Sequence, residues 1–173
     1  MKLMLFTVCT ERLLLKPISM EYKLDIFREF TKEVTTYLYA ESDTKIQYTE
    51  IFIHQSLLNM QKGEELIIVI LNKDSQEFLG CSGIHKIQTQ YPQMGIWLKK
   101  SAHKQGYATE TIAALKLWAD ENLDYKYLKY PVDKANTPSR SVIEKIGGRI
   151  ATEYDYITMS GKVLNILEYR IYK

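Results

Sequence analysis

A stretch in the middle of the chain has the residue types needed to bind an anion. Residues 95–98 read as a short strand, residues 99–105 form a basic loop, and a helical pattern opens at Gly106. The first turn of a helix carries backbone N–H groups without internal acceptors, at the positive end of the helix dipole. An anion can approach those groups where the backbone is bare, and Gly106 and Ala108 keep it bare. The same loop is positively charged through Lys99, Lys100, His103 and Lys104.

This pattern has an ordinary alternative reading. A single glycine is common at the boundary between a loop and a helix, and a lysine-rich loop is often simply exposed to solvent. The chain contains neither G-x-x-x-x-G-K-[ST] nor G-x-G-x-x-G, so the two usual nucleotide-fold signatures do not apply.

Residues 103–108, His-Lys-Gln-Gly-Tyr-Ala, are similar to the central motif [Q/R]-x-x-G-x-[G/A] of the GNAT superfamily of acyl-CoA-dependent N-acetyltransferases. With Thr109 and Glu110 following, the stretch most resembles the branch of ribosomal-protein N-terminal acetyltransferases. His103 departs from the usual Gln or Arg. Because that position mostly contributes a backbone amide in the family, we expect the departure to be tolerated. The resemblance implies that the diphosphate of acetyl-CoA is bound by His103, Lys104, Gln105, Gly106, Tyr107, Ala108 and Thr109.

Residues 136–147 resemble a later signature of the same family, N-x-x-S-x-x-V-x-E-K-x-G. There the resemblance implies that Asn136 binds the pantetheine arm; by itself Asn136 would read as a turn or cap residue. The family also uses the main chain of a splayed strand beside the pantetheine, one N–H of which stabilises the oxyanion. The matching positions, which also read as ordinary core strand residues, are Ile96, Trp97 and Leu98.

The reaction implied is attack of an amine on a thioester, and its acid and base are less well defined. Many family members protonate the departing thiolate with a tyrosine, but Ile143 stands at that position. Ser139 matches the acid of the ribosomal-protein branch and equally suits a first-turn helix residue. Gln93 stands where a general base is usual and cannot remove a proton. His85 has the right chemistry, although a lone strand histidine is more often structural, and Glu41 is a weaker candidate.

Hydrophobic periodicity predicts which elements must position these residues. The expected strands cover residues 10–18, 65–72, 77–87, 93–98, 126–132, 149–159 and 162–172. Helices are expected from Met20 to about Phe30, from Asp43 or Thr44 to Gly63, from Gly106 to about Asn122, and from Thr137 to Gly147. The second helix is expected to turn Tyr48, Ile51, Phe52 and Leu58 inward.

The order β-α-α-β-β-β-α-β-α-β-β matches the GNAT layout along nearly the whole chain. We therefore expect an α/β (α+β) fold with a mixed, mostly antiparallel, splayed sheet of about seven strands flanked by about four helices. Residues 1–173 are expected to form a single N-acetyltransferase domain with its core from about residue 10.

Composition excludes several other classes of protein. The 173 residues carry a net charge of +2, which argues against nucleic acid or an anionic membrane as partner. Cys9 and Cys81 make no metal-binding spacing, the three histidines are scattered, and no metal is expected. The apolar run near the N-terminus is too short for a signal peptide, so a cytoplasmic location is expected.

The sequence thus predicts an N-acetyltransferase that moves an acetyl group from acetyl-CoA to a primary amine by direct attack in a ternary complex. The acceptor would be a protein N-terminus, a peptide, a polyamine or a small metabolite. The alternative is a non-catalytic module of the same fold that binds acyl-CoA. Tyr37, Tyr39 and Tyr154 could serve an acceptor pocket or a partner interface, a homodimer contact included.

Overall fold

The computed structural model describes residues 2–42 and 44–173, so Met1 and Asp43, a candidate start of the second helix, lie outside the described residues. The strands are β1 Val8–Cys9, β2 Leu13–Pro17, β3 Glu65–Asn72, β4 Phe78–His85, β5 Gln93–Leu98, β6 Tyr127–Asp133, β7 Arg149–Ile157 and β8 Val163–Tyr172. The helices are α1 Lys23–Glu29, α2 Ile46–Lys62, α3 Tyr107–Asn122 and α4 Thr137–Lys145. Short 3-10 turns occur at Leu3–Leu5, Met20–Tyr22 and Lys100–Ala102.

One sheet carries all of these strands, in the order β1-β2-β3-β4-β5-β6-β8-β7. The expected fold class and order of elements are confirmed, with the two-residue strand β1 added in front of β2. Residues 66–71 of β3 are all buried, as their continuous apolar run requires, because layers cover both faces of a central strand. Strands β3, β4 and β5 form an antiparallel meander.

The sheet opens between its two parallel strands. Strands β5 and β6 run in the same direction and are joined by the crossover helix α3. They pair only at Gln93 and Lys129, near the start of each strand. Further along, the edge of β5 has no strand beside it, and this parting creates the cleft described below.

The prediction for the inner face of α2 is wrong. Tyr48, Ile51, Phe52 and Leu58 are all exposed, and α2 instead buries Thr49, Ile53, Ser56 and Met60. The buried face alternates small polar with large apolar residues, so the helix can lie close against β3. Hydrophobic periodicity predicted that the most apolar face of α2 would be buried. In the structure the buried face is the one whose side chains fit against the sheet.

The first helix also differs in detail from its prediction. Residues 20–22 form a 3-10 turn, so the α-helix itself is shorter than predicted and covers Lys23–Glu29. Ile26 supplies its buried contact with the core. Gly63 ends α2 in the left-handed conformation, which confirms the expected stop.

Candidate active site

A cleft of about 340 Å³ lies where β5 and β6 part. Its floor is formed by residues 96–98 of β5 and by Tyr130 of β6, and one wall by the turn that opens α3. The other wall is the start of α4, with Asn136 and Ser139. Two segments separated by some thirty residues in the sequence therefore face one another across the parted strands, as two ends of an extended ligand would require.

The turn before α3 offers an unbroken row of backbone donors. Among the described residues, the N–H groups of residues 104–109 donate to no protein acceptor, and no side chain caps the helix. Such a row at the positive end of a sixteen-residue helix is suited to phosphate oxygens. The anion site expected from the sequence thus has the geometry it needs.

Gly106 is required for its backbone conformation. Its φ of 82° lies in the left-handed region, which L residues adopt only with strain. A Cβ added there would point to Nη2 of Arg12, 3.3 Å away. The expectation that Gly106 keeps the backbone bare for the anion is therefore incomplete, because the missing side chain leaves room for Arg12.

Arg12 contacts this turn through a hydrogen bond and a cation–π interaction. Its Nη1 donates to the carbonyl of Gln105 at 2.8 Å, and its guanidinium lies over the ring of Tyr107, 4.7 Å from the centroid. Partial burial raises the pKa of Glu110, but hydrogen bonds from Thr10 and Arg12 and the Arg12 charge outweigh it, so that pKa lies below its ordinary value. The Arg12–Glu110 pair thus fixes the turn to the start of the sheet, and the sequence motifs do not reveal it.

The positive charge around the turn differs from the expectation. Lys99 is buried and pairs with Glu77 at 2.5 Å, and exposed Lys100 pairs with Glu33 at 2.6 Å. His103 donates from Nε2 to the carbonyl of Leu98 at 2.9 Å. Within the described residues Lys104 makes no ion pair, and neither does Lys145, a cleft residue of α4 that sequence reasoning missed. The cationic character of the cleft therefore comes from both walls.

The open edge of β5 presents the backbone groups of alternate residues to the cleft. The N–H of Lys99 donates to Leu79 on β4, so the backbone groups of Ile96 and Leu98 face the opposite side, where His103 occupies the carbonyl of Leu98 and the two N–H groups remain available. Trp97 directs its main chain toward β4 and packs its ring against Phe30, with centroids 4.9 Å apart. The main-chain role expected for residues 96–98 therefore suits Ile96 and Leu98, while Trp97 contributes its side chain.

Asn136 and Ser139 meet at the start of α4. Asn136 is the N-cap and accepts a hydrogen bond on Oδ1 from the backbone N–H of Ser139 at 3.2 Å. Its Nδ2 donates to none of the described residues, so this amide remains available to a ligand in the cleft. The Ser139 hydroxyl lies 2.8 Å from that of Tyr130, a partner that the sequence motifs did not indicate.

The structure does not bring His85 into this cleft. His85 lies at the end of β4, in a shallower depression, with Nδ1 2.7 Å from Oε2 of Glu65. Gln93 pairs with it and borders the same depression. Glu41 accepts a hydrogen bond from Ser160 and does not line the cleft either. Among the described residues, the cleft lining contains no carboxylate.

One flank of the cleft is formed by the irregular segment 31–42. Val34 and Leu38 line the cleft, and Nζ of Lys162 donates to the carbonyls of Thr35 and Leu38 at 3.1 and 2.8 Å. Tyr39 packs edge-on against Tyr156, with centroids 4.6 Å apart. The hairpin of β7 and β8 therefore holds this segment beside the cleft, although its sequence has no clear period.

A model of the family described as "Acetyltransferase (GNAT) domain" matches residues 12–149. The chain belongs to the GNAT acetyltransferase family. The resemblance read from the two motifs is thereby confirmed. GNAT acetyltransferases take their acetyl group from acetyl-CoA, and the free donors of residues 104–109 beside two unpaired lysines fit its phosphates. This GNAT chain is thus an N-acetyltransferase with acetyl-CoA as its co-substrate.

Solved structures show the same GNAT fold at low sequence identity. A GNAT-family acetyltransferase from Bacillus anthracis is 19% identical, with a TM-score of 0.83, over 96% of this chain and 98% of that one. An acetyltransferase from Salmonella typhimurium that modifies the N-terminal serine of ribosomal protein L7/L12 is 16% identical, with a TM-score of 0.82, over 95% and 96%. Spermidine N-acetyltransferase from Vibrio cholerae, in complex with CoA and spermine, is 12% identical, with a TM-score of 0.82, over 94% and 96%.

A search of curated proteins finds no significant match to this GNAT sequence. None of the described helices is long and apolar enough to cross a membrane. Within residues 2–42 and 44–173, no group of three or more His, Cys, Asp or Glu side chains could hold a metal ion.

Proposed function

We propose that this chain acetylates the α-amine at the N-terminus of a peptide or protein, by direct attack on acetyl-CoA in a ternary complex. Residues 1–173 act as one catalytic domain, and the free thiols Cys9 and Cys81 suit a reducing compartment such as the cytoplasm. The amine nitrogen bonds to the acetyl carbon, the carbon–sulfur bond breaks with its electron pair on sulfur, and the proton lost by nitrogen ends on sulfur.

One observation carries the preference for an α-amine over a polyamine or lysine. No described residue that lines the cleft is a carboxylate, and its imidazole, His103, is engaged with Leu98. The cleft therefore lacks both a strong base and a negative charge to hold a polycation. Only a neutral amine attacks, and an α-amine with a pKa of about 8 is far more often neutral at pH 7.5 than a lysine amine with a pKa of about 10.4.

The residues of the two walls have distinct roles in this proposal. The backbone of residues 104–109, with His103 just before it, binds the diphosphate, and Asn136 and the open edge of β5 orient the pantetheine arm. The N–H of Ile96 or Leu98 stabilises the oxyanion, because a preorganised donor costs no reorganisation when charge develops. Ser139 donates a hydrogen bond to the departing sulfur. His85 is not assigned a role, since it lies outside the cleft.

The test uses saturating acetyl-CoA and measures release of free CoA thiol with three acceptors. These are a peptide with a free α-amine, the same peptide blocked at its N-terminus but containing lysine, and spermidine. We expect the free α-amine to react roughly 100-fold faster than the blocked peptide at pH 7.5, because of the difference in amine pKa. Faster reaction of spermidine or lysine would overturn the preference. Tight binding of acetyl-CoA without thiol release from any acceptor would favour the alternative, a non-catalytic module.

A Ser139→Ala variant tests the role of that hydroxyl. We expect turnover to fall about tenfold while the affinity for CoA hardly changes, because a hydrogen bond of about 1.4 kcal/mol made only in the transition state is lost. Equal, small effects on turnover and affinity would reduce Ser139 to a first-turn residue of α4.

A further inference from the structure

Tyr130 is the residue of the cleft whose position the proposed function leaves unexplained. It lies on β6 at the floor of the cleft with only 2% of its surface exposed, and its hydroxyl is next to that of Ser139. The two hydroxyl oxygens are 2.8 Å apart, and either one could donate. Within the described residues, the Tyr130 hydroxyl has no other hydrogen-bond partner.

The burial of the two residues decides which hydroxyl donates. Each hydroxyl has one hydrogen to place. If Ser139 gave its hydrogen to Tyr130, the phenolic hydrogen would be buried without an acceptor, which is costly. If Tyr130 donates to Oγ of Ser139, the phenolic hydrogen has an acceptor. The partly exposed Ser139 can then turn its own hydrogen to the cleft. The second arrangement is the one that leaves no buried donor unpaired.

We infer that Tyr130 is a positioning residue that turns the hydroxyl hydrogen of Ser139 into the cleft, toward the departing sulfur. This inference rests on the proposed function, which gives Ser139 the hydrogen bond to sulfur. A free serine hydroxyl samples three rotamers, and only some of them aim its hydrogen at a given point. By occupying an acceptor site on Oγ, Tyr130 restricts that choice before the substrate arrives.

The chemistry of the pair fits hydrogen bonding to the thiolate and does not require net proton transfer from the protein. Burial raises the pKa of Tyr130 to about 12. Tyr130 therefore stays protonated, and stays a donor, throughout the range in which the enzyme works. An alkyl thiol such as cysteine has a pKa of about 8.5, well below that of Tyr130. A thiolate would therefore not remove the proton of Tyr130.

The first experiment is a double-mutant cycle of Tyr130→Phe and Ser139→Ala. Phenylalanine keeps the ring and removes only the hydroxyl. We expect Tyr130→Phe to lower kcat about fivefold, with an unchanged Kd for CoA, and the double variant to equal Ser139→Ala alone. If the two losses multiply in the double variant, Tyr130 does not act through Ser139 and the inference is wrong. An unaltered kcat in Tyr130→Phe, beside a lowered one in Ser139→Ala, would overturn it too.

Tyr125→Phe provides the matched control. Tyr125 is also a buried tyrosine, and it donates to Asp120 at the far end of α3, away from the cleft. We expect this variant to lower the thermal stability while kcat stays the same. A similar loss of kcat in Tyr125→Phe would show that the effect at Tyr130 is a general consequence of removing a buried hydroxyl.

A second experiment needs no acceptor and therefore separates this inference from the proposed function. The pKa of the CoA thiol bound to the protein can be followed by the ultraviolet absorbance of its thiolate. A hydrogen bond from Ser139 favours the thiolate, so we expect the bound thiol in the wild type to have a pKa about half a unit to one unit below that in Tyr130→Phe. Equal values in the two proteins would overturn the inference, whatever the acceptor panel shows.

Discussion

Arg12 and Glu110, which lie 98 residues apart in the sequence, form the contact that fixes the turn before α3. The guanidinium donates to Oε2 of Glu110 from Nε at 2.8 Å and from Nη2 at 2.7 Å, and the backbone N–H of Arg12 donates to Oε1 at 2.9 Å. Thr10 adds a fourth donor at 2.6 Å. The residues just before β2 and the first turn of α3 are thereby held together, immediately after the last of the free backbone donors.

Removal of the Arg12 side chain should weaken acetyl-CoA binding without removing catalysis. In Arg12→Ala the carbonyl of Gln105 loses its donor and the turn loses its support, so its backbone donors are less well positioned. We expect KM for acetyl-CoA to rise roughly tenfold, which corresponds to about 1.4 kcal/mol, while kcat changes little. Steady-state kinetics at a saturating amine measure both constants.

Arg28→Ala is the matched control for this variant. Arg28 is an exposed arginine of α1 that pairs with Asp25 and Glu29, on a surface that does not line the cleft. Its loss should leave both kinetic constants unchanged. An unchanged KM in Arg12→Ala would show that the turn holds its shape without the arginine.

Glu110 should make the stability of the protein depend on pH in the acid range. Its pKa is lower in the folded protein than in the unfolded chain, so the unfolded state binds more protons between the two values. Its contribution is present above the unfolded pKa of about 4.3 and is lost as the pH falls through the lower folded value. The free energy of unfolding of the wild type minus that of Glu110→Gln, measured from pH 7 downward, should therefore shrink below about pH 4.3. A difference independent of pH would contradict the prediction.

Gly106→Ala should affect both stability and acetyl-CoA affinity. The left-handed backbone costs an L residue about 1–2 kcal/mol, and the new Cβ approaches Arg12. Gly63→Ala carries a similar strain, with φ of 73°, at the end of α2 and far from the turn. We expect both variants to lose similar free energy of unfolding and only Gly106→Ala to bind acetyl-CoA more weakly, as calorimetry would show. Equal affinities would mean that this turn does not bind the diphosphate.

Lys162 should influence the amine substrate more than acetyl-CoA. Its ammonium group joins the β7–β8 hairpin to segment 31–42, and Lys162→Ala would leave that flank of the cleft less fixed. We expect KM for the amine to rise severalfold while KM for acetyl-CoA stays the same. Lys134→Ala, which removes only an exposed pair with Glu153, is the control and should alter neither constant. A parallel rise of both KM values in Lys162→Ala would place the segment on the acetyl-CoA side.

Local patterns in the sequence were sufficient for the elements and for part of the site. The apolar run of β3, the stop at Gly63 and the helix start at Asn136 and Pro138 depend on neighbours within a few residues. The free donors of residues 106–109 belong to this group, since a helix start leaves its first N–H groups unpaired wherever it lies. The order of elements followed from the same short-range information.

Contacts between distant residues decided the rest. Four features depend on which segments the sheet brings together. They are the buried face of α2, the burial of Lys99 against Glu77, the position of His85 outside the cleft, and the pairing of Tyr130 with Ser139. Periodicity cannot rank two helix faces that differ in shape, and a motif does not report the partner of a side chain. The sequence alone determined a bare helix start able to bind phosphate, because that property is local. Only the packed structure decided which arginine supports that helix start and which hydroxyl pairs with Ser139, because the energies of these contacts arise after the chain has folded.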